Sequence, residues 1–155
     1  MEEALWTKLT ETAEQTEACG AELAKNMLED PTIPPFVALY GDLGVGKTAF
    51  VRGFTSVISP RSSVRSPTFA LVHEYKGKPR SVFHFDMYRI SNDDDLVSCG
   101  FYDYLDRPGI CLVEWSENIP YALPDDYVRV QIEKNDPEAA NSRLITVEQI
   151  GENMI

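Results

Sequence analysis

Cysteine is scarce in this chain of 155 residues: Cys19, Cys99 and Cys111 are all it has. An odd number without paired metal-ligand spacing excludes a disulfide framework and a zinc site. It leaves three small apolar residues in a reducing compartment. Long apolar runs are missing as well. None approaches the roughly 20 residues a membrane-spanning helix needs, so no membrane association is expected. Positive charge is also short: 14 Lys and Arg face 25 Asp and Glu, a formal net charge of −11. Gripping nucleic acid depends on Lys and Arg neutralising phosphates. The balance argues against direct binding, apart from a local basic patch around Arg61 and Arg65, and any RNA role would pass through a protein partner. The opening Met1-Glu2-Glu3-Ala4 is acidic and lacks the basic and apolar regions of a secretory signal. A soluble, cytoplasmic protein is expected.

What is present fits one globular domain, 1–155, with 43% hydrophobic and 25% charged residues. Leu5, Leu9, Thr16, Cys19, Leu23 and Met27 recur at three- and four-residue steps, which predicts an amphipathic helix ended by Pro31, Pro34 and Pro35. Residues 36–40 read as a short buried strand and 46–58 as a helix. Residues 69–75 and 81–86 read as a hairpin turning at Lys76-Gly77-Lys78-Pro79. Ser91 is the expected cap of a short acidic helix over 92–98, with Asp93 and Asp94 near its positive end and Gly100 as its stop. Residues 110–113 are continuously apolar, as in a strand buried on both faces of a parallel sheet. Residues 127–133 and 143–148 are expected to close the sheet.

Gly41-Asp42-Leu43-Gly44-Val45-Gly46-Lys47-Thr48 matches G-x-x-x-x-G-K-[ST] in full. The glycines let the backbone approach phosphates and take positive φ. Loop amides and the positive end of the next helix make an anion cradle. Asp42, Leu43, Gly44, Val45, Gly46 and Ala49 are therefore candidate nucleotide contacts. Lys47 brings charge to the β- and γ-phosphates, and Thr48 offers a hydroxyl to Mg²⁺. The match follows a strand and opens a helix, as the mechanism requires. The fold class is α/β: a P-loop NTPase fold with a central, mostly parallel sheet, antiparallel edge strands and flanking helices.

Such a site needs carboxylates at the carboxyl ends of neighbouring strands. Glu114 ends the apolar strand and Asp86 ends Val82-Phe83-His84-Phe85. One would hold Mg²⁺ while the other orients the attacking water, and the sequence leaves open which does what. The bland reading is favoured elsewhere. Asp93-Asp94-Asp95 is a solvated helix start, His84 a satisfied strand histidine, and Tyr88 and Arg89 structural support. Trp115 is read as packing, with a nucleotide or partner contact as the alternative. No [NT]-K-x-D motif is found, which argues against a GTPase. The D-x-x-G match at Asp106-Arg107-Pro108-Gly109 precedes the strand it ought to follow. Arg61, Arg65 and Arg89 keep a small-molecule kinase open.

Four ordered motifs carry a resemblance. The phosphate loop, then Val64-Arg65-Ser66-Pro67-Thr68-Phe69, then His84-Phe85-Asp86-Met87-Tyr88-Arg89, then Cys111-Leu112-Val113-Glu114-Trp115 resemble the TsaE (YjeE) family of bacterial ATPases over about residues 16–143. The resemblance implies an ATP-hydrolysing, Mg²⁺-dependent component of the machinery that makes threonylcarbamoyladenosine at tRNA position 37. It would act with TsaD–TsaB type partners, which carry the transfer chemistry and meet the tRNA. It makes Glu114 the acid near the metal with Thr48, Asp86 the second acid, and Thr68 part of a switch-like loop facing the γ-phosphate. Thr16 and Arg143 become nucleotide contacts. Ser116 and His73-Glu74 depart from the usual pattern without touching a site assignment. A nucleotide-dependent binding module with little turnover of its own is the non-enzymatic alternative.

Overall fold

The computed structural model describes residues 2–41, 46–62, 64, 72–78 and 80–151. The expected nucleotide contacts Asp42, Leu43, Gly44, Val45 and Thr68 lie outside these, as do Ser66, Pro67 and the start of the strand expected at 69–75.

Seven strands form one sheet: β1 (Glu2–Thr10), β2 (Phe36–Tyr40), β3 (Val72–Tyr75), β4 (Ser81–Asp86), β5 (Gly109–Glu114), β6 (Tyr127–Asp136) and β7 (Ala139–Ile150). Their order across the sheet is β1-β7-β6-β2-β5-β4-β3. β6, β2, β5 and β4 run parallel. β7 returns antiparallel on β6 and β1 antiparallel on β7, and the β3–β4 hairpin closes the opposite edge. The parallel centre with antiparallel edges matches the sequence reading.

Side-chain alternation along each strand divides the core in two. Val37 and Leu39 of β2, with Ile110 and Leu112 of β5, face α1 (Ala13–Glu29) and α2 (Lys47–Ile58). Phe36, Ala38, Cys111 and Val113 face α3 (Asp93–Ser98) and α4 (Phe101–Leu105), where Phe101 meets Phe85 edge-on at 5.3 Å. Two 3₁₀ turns follow β5, Ser116–Asn118 and Pro120–Ala122.

Two expectations need correction. Leu5 and Leu9 belong to a strand, not to the first helix. β1 pairs with β7 from Glu2↔Ile150 to Thr10↔Arg143, and the helix begins only after Thr12, whose side chain accepts the Gln15 amide. A four-residue step fits strand alternation as well as a helical turn, so Leu5 and Leu9 could not tell the two apart. Trp6, Lys8 and Thr10 turn toward α1 through Asn26, Glu22 and Thr16, whereas Leu9 is 55% exposed. The second correction is the α3 cap: Asn92, not Ser91, accepts the Asp95 amide. Gly100 does stop α3, and with φ 79° it also opens α4, which the sequence reading missed.

α1 and α2 touch backbone to backbone. A Cβ on Gly53 would lie 1.7 Å from the Glu17 carbonyl oxygen, and one on Gly20 would lie 2.0 Å from that of Phe50. This contact fixes Thr16 beside the first turn of α2.

Candidate nucleotide and metal site

β2 delivers the chain to Gly41 (φ 147°), and α2 begins after Gly46 (φ 108°), a left-handed position that suits glycine. Gly46 offers no capping side chain, and its carbonyl accepts the Phe50 amide, which starts the helix. The first amides of a twelve-residue helix have no acceptor within the helix and suit an anion.

Lys47 folds back over this entrance, 95% buried. Its Nζ donates to the Gly41 carbonyl at 2.6 Å and stands 3.7 Å from the centre of the Trp115 ring. Trp115 therefore packs, and what it packs on is the phosphate-loop lysine. Trp115 is the only non-glycine residue with positive φ (59°) among those described. Such a conformation costs about 1–3 kcal/mol and concentrates at functional sites. Tyr88, half exposed, lies against the same ring at 4.9 Å.

The two acids stand side by side. β4 and β5 are parallel with Asp86 opposite Glu114, both at carboxyl ends and on the face toward α2. Glu114 is buried, and its Oε2 is hydrogen-bonded to His84 Nε2. Oε1 has no hydrogen bond among the described residues. Burial pushes the Asp86 carboxyl above the usual carboxylate range. The Tyr88 amide, donating at 3.0 Å, pulls it down, the Glu114 charge pushes it up, and the Lys47 charge draws it down. Asn118 ties this end together by donating to the carbonyls of Met87 (2.9 Å) and Tyr88 (3.2 Å).

These groups fit Mg²⁺, which takes hard oxygen donors and is usually held by one or two carboxylates together with substrate phosphates. Thr48 in the first turn of α2 and the Oε1 oxygen of Glu114 are such donors. Among the described residues no three His, Cys, Asp or Glu side chains gather into a cage of their own.

A cavity of about 210 Å³ opens on the α1 side of the loop, lined by Thr12, Ala13, Thr16, Gly46, Ala49, Asn141 and Arg143. The fold thus brings Thr16 and Arg143, distant in sequence, to Gly46 and Ala49. Thr16 Oγ1 pairs with Thr10 Oγ1 at 2.9 Å, and Arg143 is braced by the carbonyls of Ala140 and Ser142. Sequence reasoning missed the Lys47–Trp115 contact, the His84–Glu114 bond and Asn118. Only the second left a signal: alternation along β4 puts His84 and Asp86 on one face.

The chain was compared with known proteins. Residues 10–145 match the family described as threonylcarbamoyl adenosine biosynthesis protein TsaE. The tRNA threonylcarbamoyladenosine biosynthesis protein TsaE of Haemophilus influenzae is 40% identical over 119 residues, 77% of this chain and 75% of that protein. Its Bacillus subtilis namesake is 34% identical over 115 residues, 74% and 70% of the two chains. The crystal structure of Bacillus subtilis YdiB superposes with a TM-score of 0.71 at 27% identity, covering 97% of this chain and 88% of the other. With the family match spanning most of its length, and a fold and loop of the expected kind, this chain belongs to the TsaE family.

Proposed function

We propose that this protein binds Mg-ATP and hydrolyses it in support of tRNA threonylcarbamoyladenosine biosynthesis, acting in the cytoplasm with TsaD–TsaB type partners. The observation that carries the reading is a complete phosphate loop opening α2, with Glu114 and Asp86 paired at the carboxyl ends of the next two strands. The relatives' names supply the pathway.

Lys47 leaves the Gly41 carbonyl for the β- and γ-phosphates. Thr48 and Glu114 would hold the cation, which would supply positive charge where negative charge builds during transfer. Asp86 orients the attacking water. Burial raises its proton affinity, which suits it to receive a proton from that water. Thr16 and Arg143 border the cavity for the rest of the nucleotide. Thr68 belongs to a segment that responds to the γ-phosphate. The acidic charge fits a protein that reaches tRNA through partners. Among the described residues no helix is long and apolar enough to cross a membrane.

The test is co-purification with a TsaD–TsaB pair under ATP analogue, ADP or no nucleotide, with phosphate release measured alongside. Retention that follows the nucleotide and turnover that rises with partners are expected. Absence of retention in every condition contradicts the partner assignment. Phosphate passing to a small acceptor contradicts hydrolysis.

A further inference from the structure

His84 is fully buried. In β4 its neighbours Phe83 and Phe85 turn to the other face of the sheet, while Val82 and Asp86 share its own. Its register partner on β5 is Leu112, and Glu114 lies one diagonal step further toward the site. Nε2 is bonded to Glu114 Oε2, and Nδ1 has no partner among the described residues. The ring plane is set from β3, where Tyr75 stacks on it at 6.4 Å and 29°, with the Tyr75 hydroxyl in turn 3.2 Å from His73 Nδ1.

Burying an imidazole costs free energy that one hydrogen bond only partly returns, and an apolar side chain would fill this place without an orphaned nitrogen. Among the described residues, the single polar tie of His84 goes to the acid beside the phosphate loop. We propose that His84 is a positioning residue for the metal acid. It donates its Nε2–H to Glu114 Oε2, holds the carboxylate in one orientation and leaves Oε1 for the cation. Nδ1, with no partner among the described residues, fixes this tautomer, because a buried N–H there would lack an acceptor. This role rests on the Mg-ATP reading above.

The experiment is a Mg²⁺ titration at saturating non-hydrolysable ATP analogue, read as the melting-temperature shift of wild type, His84→Gln and His84→Asn. A Gln amide reaches the Nε2 position and an Asn amide does not. His84→Asn should raise the half-saturating Mg²⁺ by about 10- to 100-fold, the usual effect of losing a group that orients a metal ligand, and His84→Gln should stay within about threefold of wild type. A wild-type midpoint in folded His84→Asn overturns the proposal, and so does a shift in His84→Gln as large as that in His84→Asn. Should His84→Asn not fold, His84→Gln decides: a tenfold rise overturns the proposal, and a wild-type midpoint supports it. A wild type indifferent to analogue and Mg²⁺ overturns the Mg-ATP reading itself. A responsive wild type with an unmoved His84→Asn removes only the role of His84.

Discussion

Glu114 and Asp86 have the same side-chain charge and sit opposite each other in register, yet they face different surroundings. Glu114 has a neighbour that donates to it, so its removal has two consequences. Glu114→Gln keeps an acceptor for His84 and deletes the charge. Phosphate release should fall at least about 100-fold, the scale of losing one electrostatic catalytic group, while circular dichroism and the melting temperature stay close to wild type. Full activity in this variant would promote Asp86 to the metal role. For Asp86 the burden is desolvation, which raises its proton affinity in the fold. A raised folded-state pKa means that ionisation favours the unfolded chain. Stability from this group is greatest below the unfolded carboxylate range and is lost as pH rises through the folded pKa. Asp86→Asn keeps an oxygen for the Tyr88 amide and removes the ionised form. It should therefore melt higher than wild type at neutral pH without nucleotide, and hydrolyse ATP more slowly. A lower melting temperature would contradict the desolvation account.

At the scale of elements, the contact between α1 and α2 holds the two sides of the proposed nucleotide site together. Gly53→Ala would drive a methyl into the Glu17 carbonyl at 1.7 Å, so the helices must part. A loss of about 1–3 kcal/mol in denaturant unfolding is expected, with weaker nucleotide binding because Thr16 moves away from Gly46. Unchanged stability would mean that the crossing is looser than described. The loop carrying Ser66-Pro67-Thr68 has its own test. Hydrogen exchange there should be slower with ATP analogue than with ADP, since switch segments are ordered by γ-phosphate contacts. Identical exchange in both states would remove the switch and leave the ATPase reading standing.

How legible each element was depended on whether its signal was local. β2 was readable as an apolar run between Pro35 and Gly41, β4 as an arm of a hairpin turning at residues 76–79, β5 as a continuous apolar run, and the phosphate loop as a contiguous motif. β1 was not, because its partner β7 lies more than a hundred residues away and its leucine spacing also fits a helix. α4 is only five residues long and begins at a glycine that also ends α3, so it left no period to read. Asp86 and Glu114 could be found one by one at strand ends, but their pairing, the reach of His84 to Glu114 and the seat of Lys47 on Trp115 exist only once β4, β5 and α2 are brought side by side.

Taken whole, the molecule places the two flanks of the phosphate-loop motif (Gly41 and Gly46-Lys47), two strand-end acids and the cavity bordered by Thr16 and Arg143 along the end of the sheet where β2, β4 and β5 finish. Mg-ATP should stabilise this arrangement as a unit. At 100 times its dissociation constant a ligand adds about 2.7 kcal/mol, a gain that Lys47→Ala should largely lose. An equal rise in both proteins would count against the site. The central claim is hydrolysis at this loop, and its most direct test is steady-state phosphate release from ATP by wild type and Lys47→Ala, each with Mg²⁺ and with EDTA. Release confined to wild type with Mg²⁺ is the predicted result. Equal release by Lys47→Ala, or release that persists in EDTA, would contradict it.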